Sequence, residues 1–343
     1  MRVSVDGGTV KRSRYARIAI AVLLVVAVAP GCDAPGPQLD GDAELIPLTI
    51  AVSRECLAAT VFIAEERGAF AAEGLDVTVI EYASSQPCME ALLAGEVDAA
   101  TSADTPIVFA ALDGARFDVL ATIASSDNDI KVVVRADREI DDPRELRGRC
   151  VATAPRTAAH AFLATFLSRH GLLAEDVNLC LEPFDVVAEG LTSGQFGAAA
   201  LREPFVGELV ESLGDELIVF EEPGLQLKTM NVCVSPELDP AVRVRLMRAL
   251  VASEPATGAE VCDEAVAIIA ERLGFDPEDA CETLCVGEYR VRIDQALLLA
   301  LEDQARWAIA SGLTAAENTP DFLERFDLGP LDAVDPYRVE VIR

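Results

Sequence analysis

Short strand-like runs and helix-like runs alternate along this chain from Ile46 to Leu201, and few folds accommodate that order. Ile46–Val52 (IPLTIAV) reads as a strand, and the following SRECLAATVFIAEERGAF places apolar residues at helical spacing before stopping at Gly68 and Gly74. Leu75–Tyr82 alternates with the period of a strand. Ser84–Gly95 reads as a cap, a helix with Pro87 near its first turn, and a stop. Val97–Ala100 is a short strand and Thr105–Gly114 a second capped helix. A second series repeats the build: CVATA at 150–154, a helix Thr157–His170, a strand Val177–Leu181, a helix Val186–Ser193 and a strand Ala198–Leu201. Repeated strand, helix, strand units imply parallel sheets covered by helices on both faces, which is α/β architecture. Between the two series lie VLATIAS and IKVVVRA, joined by the polar SSDND, and beyond Leu225 the run KTMNVCVS leads back to the first lobe. Helices at 240–256, 258–273, 277–285 and 293–312 are expected to cover that lobe.

The chain holds 28 Lys and Arg against 58 Asp and Glu, a formal net charge of -30. Such a field repels phosphate backbones, and with aromatics at 5% and one tryptophan, Trp307, stacking platforms are scarce. Nucleic acid is not an expected partner. The positive charge gathers at the start: Arg2, Lys11, Arg12, Arg14 and Arg17 precede the unbroken apolar stretch Ile18–Ala29. As a helix that stretch is about 18 Å long, short of a bilayer core. A basic start, a short apolar segment and small residues describe an export signal, so residues 1–31 are expected to be removed. Ala29, Pro30, Gly31 and Cys32 resemble a bacterial lipoprotein signal, which implies a lipid on Cys32; the usual leucine three residues before the cysteine is absent and Pro30 departs from the pattern. Ordinary secretion is the alternative. Residues 32–45, rich in Pro, Gly and Asp, read as a tether to a membrane surface.

Eight cysteines remain: Cys56, Cys88, Cys150, Cys180, Cys233, Cys262, Cys281 and Cys285. In an oxidising compartment an even number reads as up to four disulfides. Cys281 and Cys285 have helical spacing that puts two thiolates on one face, but the sequence offers no second CxxC pair, and His160 and His170 are distant, so no metal is expected.

Four runs carry a family resemblance: GAFAAEGLDVTVIEY, MEALLAGEVDAATSADTPIVFAALDG, DPRELRGRCVATAPRTAAHAFL and GLTSGQFGAAALREPF. In this order they resemble the solute-binding proteins of bacterial ABC importers, in the subset for alkanesulfonates, taurine, nitrate and thiamine-pyrimidine precursors. The resemblance spans residues 46–315. It implies the periplasmic-binding-protein type II fold, with lobe 1 at 46–132 and 226–343, lobe 2 at 133–225, a two-strand hinge and a ligand cleft. It also implies a monomer without cofactor that delivers its solute to a membrane permease and ATPase.

Ligands of open α/β sheets sit at the carboxyl ends of the strands. That rule selects Ser53 and Arg54 after the first strand, Ser84, Ser85 and Gln86 after the second, and Thr101, Ser102, Asp104 and Thr105 after the third. In the second lobe it selects Arg156, Thr157, Arg202 and Glu203. Ser84 and Thr105 serve equally well as helix caps or ligand contacts, and Asp104 as a first-turn residue. Relatives usually carry Gly where Arg156 stands and Trp-Glu-Pro where Arg202, Glu203 and Pro204 stand. The two added guanidinium groups suit an anionic or zwitterionic ligand, unless each pairs with a neighbouring acid. The same architecture brings Cys56 near Cys88 and Cys150 near Cys180, places Cys262 with Cys281 or Cys285, and leaves Cys233 the remaining one. Two other readings stand beside the importer: an enzyme resembling the thiamine-pyrimidine synthases, whose histidine and cysteine-rich motif is missing here, and an anchored sensor.

Overall fold

A computed structural model describes residues 44–255, 263–274, 276–277, 280–281, 284 and 287–342. The expected signal and tether up to residue 43, with Cys32, and also Cys262, Cys285 and most of the expected helix 277–285, lie outside the described residues.

Two five-stranded sheets organise the chain. The first takes β1 (Ile46–Ser53), β2 (Leu75–Tyr82), β3 (Ala99–Ala103), β4 (Asp118–Ser126) and a late strand, with α1 (Ala59–Glu66), α2 (Ala69–Ala72), α3 (Ser85–Leu93) and α4 (Asp104–Leu112) between them. The second takes β5 (Ile130–Arg135), β6 (Cys150–Thr153), β7 (Asn178–Leu181), β8 (Ala198–Arg202) and β9 (Leu217–Phe220), with α5 (Ala158–Arg169), α6 (Phe184–Ser193) and α7 (Phe205–Leu213). The late strand β10 (Lys228–Val234) returns to the first sheet, and α8 (Pro240–Val251), α9 (Asp263–Leu273), α10 (Gln295–Ala310) and α11 (Gly329–Val334) follow.

The strand orders are β2-β1-β3-β10-β4 and β7-β6-β8-β5-β9. Each sheet is parallel except for its fourth strand, β10 or β5, which runs antiparallel to both neighbours. The strand–helix–strand units pair in parallel as the sequence implies, and the reversal is confined to the strands that enter each lobe, for a topological reason. Both reversed strands are the first that the chain builds on entering a lobe, and it enters from the other lobe at the cleft. A strand that begins at the carboxyl ends of its parallel neighbours must run against them. The passage between sheets is Asp127–Asp129, since β5 already pairs in the second sheet from Ile130, so residues 130–132 belong to lobe 2 and not to lobe 1 as expected.

Packing explains why the strand runs are so apolar. In the second lobe Val132, Val134, Ala198 and Ala200 face the core with Phe162, Phe166 and Leu167 of α5, while Val133, Ala199 and Leu201 face Val187, Leu191 and Val206 of α6 and α7. Covered on both faces, a strand has no solvent side on which polar residues are favoured. In the first lobe one core joins β1, β3, β4 and β10 to α1, α8, α9 and α10, so the C-terminal helices are part of lobe 1.

A disulfide joins Cys150 and Cys180 across the neighbouring strands β6 and β7, with Cα atoms 5.9 Å apart. The expected pairings of Cys56 with Cys88, of Cys262 with Cys281 and of Cys233 are corrected, while Cys262 with Cys285 lies outside the described residues. Cys56, Cys88, Cys233 and Cys281 are thiols. Cys88 turns its sulfur back along α3 to the Ser84 carbonyl at 3.3 Å, away from a partner in the neighbouring loop. Cys233 lies next to the end of β10, opposite Ala100 and Val119, with no cysteine across from it.

Candidate functional site

The carboxyl ends of the parallel strands and the starts of β5 and β10 meet between the lobes around a narrow cavity of about 30 Å³. Lobe 1 contributes Glu55, Ser84, Ser85, Gln86, Ala103, Pro106 and Lys228, and lobe 2 contributes Ile130, Thr157, Ala158, Ala159, Phe184 and Arg202. The parallel strands β1, β2, β3, β6, β7 and β8 lead to this edge and are each followed by a helix. Ser84 precedes α3 and Thr157 precedes α5, so helix N-termini approach the cavity from both lobes.

The floor is a buried network of charges. Lys228 Nζ donates to Glu55 Oε2 at 2.7 Å and to Asp129 Oδ2 at 2.6 Å, and all three side chains are buried. Ser85 Oγ donates to the other oxygen of Glu55 at 2.9 Å. Arg202 comes from the opposite lobe: it donates to the Glu203 carbonyl at 2.6 Å and across the cleft to the Ala83 carbonyl at 3.3 Å. Its Nε is buried without a hydrogen-bond acceptor and lies 3.9 Å from Glu55 Oε2. The guanidinium sits 5.2 Å from the ring centres of both Phe184 and Phe205, which hold it flat. Burial pushes the Glu55 carboxyl up, but Arg202 and Lys228 together outweigh it and hold the group at about 2. Burial likewise works against the Lys228 ammonium, yet Asp129 and Glu55 raise its pKa overall.

Asp104 lies behind this floor, fully buried at the start of α4. Its oxygens accept from the Thr105 amide at 2.9 Å and from Gln304 Nε2 at 2.6 Å, while Thr105 Oγ1 donates to Gln304 Oε1 at 2.5 Å. Burial lifts the Asp104 carboxyl to about 6, with Gln304, the Thr105 amide and Lys228 working in the other direction.

Of the residues expected at the cleft, Ser84, Gln86, Thr157 and Arg202 line the cavity, together with Ser85. Ser84 makes no side-chain capping bond, which leaves its hydroxyl for a ligand, whereas Thr157 Oγ1 accepts from the His160 amide and donates to the Ala154 carbonyl. The others do not line it. Ser53 is sealed between strands, with its amide on Thr101 Oγ1 and its hydroxyl beside Met230, and Ser102 bonds the Ala103 carbonyl. Arg54 turns outward to Glu81 and the Leu273 carbonyl. Asp104 and Thr105 are consumed by Gln304. Glu203 is drawn away by Lys131 at 2.6 Å and by the Gly207 amide at the start of α7. Of the two readings open for the arginines, Arg156 takes the pairing with an acid, on Asp113, while Arg202 is held by two backbone carbonyls beside Glu55.

Sequence reasoning missed Glu55, Asp129, Lys228 and Phe184. Glu55 follows Ser53 and Arg54 directly, and Lys228 heads a strand with no other charged residue, in a run with little solvent side for a charge to occupy. That second signal was readable.

Arg156 spans the lobes instead of entering the cavity. Held at φ 56°, it lays its guanidinium 4.1 Å over the Phe109 ring and reaches Asp113 at 3.1 Å, both on lobe 1 beside α4. His160 meets Trp307 of α10 edge to face at 5.2 Å, and burial lowers its pKa. These contacts hold the lobes together from the protein's own side chains. Arg156→Ala is expected to remove about 1 kcal/mol of closure, one cation–π contact plus one exposed ion pair. Small-angle scattering of the ligand-free protein checks this: the variant should show the larger radius of gyration, and equal radii would exclude the contact as a latch.

The paired lobes and the cleft at their strand ends define the periplasmic-binding-protein fold. A family model described as NMT1/THI5 like matches residues 58–238, more than half of the chain, and the chain belongs to that family. A protein of Bacillus subtilis (strain 168), named for aliphatic-sulfonate binding, is 25% identical over 207 residues, which cover 58% of this chain and 60% of that protein. Among solved structures, the alkanesulfonate-binding protein SsuA of Xanthomonas axonopodis pv. citri, bound to MOPS, superposes with a TM-score of 0.70 at 18% identity, covering 83% of this chain and 99% of its own. The nitrate-binding protein NrtA of Synechocystis PCC 6803 follows at 0.64 and 14%, covering 86% and 89%.

Proposed function

We propose that this protein is the extracytoplasmic solute-binding component of an ABC importer. It captures one small polar molecule, anionic or zwitterionic, between its lobes and presents the closed form to a membrane permease and its ATPase. In this reading the signal ends before Cys32, which carries the lipid, and residues up to 45 tether a monomeric two-lobed body at the cell surface or in the periplasm. The observation that carries the reading is the cavity at the strand ends of both lobes, where two helix N-termini and a buried charged floor converge. Enclosure of this kind strengthens each hydrogen bond to a ligand and converts occupancy into a change of shape. The names of the relatives, for sulfonates and nitrate, agree with a solute of this size.

A thermal-shift screen of the mature protein against alkanesulfonates, nitrate, carboxylates, amino acids and pyrimidines tests the proposal. A solute at a hundred times its Kd stabilises the bound state by about 2.7 kcal/mol, which moves Tm by several degrees. At least one class should produce such a rise, and the rise should fall away in Ser84→Ala/Thr157→Ala, which strips a hydroxyl from each wall. A flat screen across every class would reject the importer assignment.

A further inference from the structure

We infer that Glu55 makes the cleft select solutes of zero net charge, whether zwitterionic or uncharged, over simple monoanions. The inference rests on the cleft reading above and revises its ligand class from the charges at the floor. Lys228 and Arg202 are the cations that line the cavity, and both are already engaged. Lys228 holds Glu55 and Asp129, and Arg202 is bound by two backbone carbonyls with its Nε beside Glu55. Two positive charges therefore face two carboxylates. The nearby Lys131 is taken by Glu203, and Asp104 behind the floor brings no positive charge.

A monoanion entering this site finds no surplus cation. To use Lys228 or Arg202 as its counter-ion it must displace Glu55 or Asp129, and a buried carboxylate stripped of its partner costs more than the new contact returns. A zwitterion brings its own compensation and an uncharged solute needs none. Either can be oriented by groups already at the cavity: the uncapped Ser84 hydroxyl and an apolar side formed by Phe184, Ile130 and Pro106.

Calorimetric titration of the mature protein with matched solutes tests this. Taurine and ethanesulfonate differ by one ammonium group, as do β-alanine and propionate, and 4-amino-5-hydroxymethyl-2-methylpyrimidine supplies the uncharged case. In the wild type the tightest binder should be a net-neutral solute, and a zwitterion that binds should exceed its monoanionic match at least about tenfold. Glu55→Gln leaves one cation in surplus and should move the ratio at least about tenfold toward the monoanion. Glu55→Gln/Lys228→Met returns the balance to zero and should restore the original order. Circular dichroism checks each variant, and the wild-type comparison decides alone where a variant is unfolded. A monoanion that binds as tightly as the best net-neutral solute, or a ratio unmoved by folded Glu55→Gln, overturns the inference and leaves the cleft reading standing. Failure of every solute to bind the wild type overturns both.

Discussion

Lys228→Met is expected to destabilise the protein by roughly 3–5 kcal/mol at neutral pH, the cost of leaving buried carboxylates without their cation. Methionine replaces most of the aliphatic stem, so little packing is lost and the effect reports the charge. Lys228 joins the first strand after the second crossover to Glu55 of lobe 1 and to Asp129 in the first crossover, so both passages of the chain between lobes are tied through one ammonium. In the wild type Glu55 has a folded pKa held near 2, below its ordinary 4.5. A depressed carboxylate contributes stability that is present above the ordinary value and lost as pH falls through the folded one. Without Lys228 one of the two cations that hold the Glu55 carboxyl down is gone while burial still pushes it up, so protonation costs the variant less than it costs the wild type. Urea unfolding at pH 7.5 and pH 5 should therefore show the gap from wild type narrowing at the lower pH. The double variant Glu55→Gln/Lys228→Met should cost less than Lys228→Met alone, since one uncompensated charge goes with its partner. A loss under about 1 kcal/mol at neutral pH would mean that water reaches this floor and that the network is not buried in solution.

This network also marks where sequence reasoning stops. The strands were legible because a strand covered on both faces is mostly apolar, as IPLTIAV, CVATA and VLATIAS are. Their direction was not legible, because no residue pattern distinguishes β5 and β10 from their parallel neighbours; only the route of the chain through the cleft does. Ser84, Gln86, Thr157 and Arg202 followed from the rule that ligands meet parallel strands at their carboxyl ends. Lys228 begins a reversed strand, so the same rule passed over it, and in an acid-rich sequence Glu55 and Asp129 look like solvated surface charges. Cys56 and Cys88 were paired from the adjacency of their loops, but loop adjacency does not fix where a side chain on the first turn of α3 points. Cys150 and Cys180, on adjacent strands, left less freedom.

Asp104→Asn is expected to remove a pH dependence worth about 3 kcal/mol over its full range. The folded carboxyl titrates at about 6 against an ordinary 3.8, and each tenfold change in proton affinity is worth about 1.4 kcal/mol. Because the folded value is raised, the native state binds this proton more tightly than the unfolded chain does. Its contribution is fully present below pH 3.8 and is lost as pH rises through 6, most of it between about pH 4 and 7. Asparagine does not titrate, so the variant gains on the wild type as pH rises, with the difference flat above about pH 7. The polar atoms remain satisfied: half a turn of the Gln304 amide presents its oxygen to the new amide nitrogen and its nitrogen to Thr105 Oγ1, while the asparagine oxygen keeps the Thr105 amide. Comparing the two proteins at each pH cancels the opposite contribution of Glu55, which both share. Denaturant unfolding of both at pH 4.5, 6 and 8 checks the sign. A difference that does not change with pH would place the Asp104 carboxyl in water, and one that grows toward acid would mean that its ionised form is the one the fold prefers.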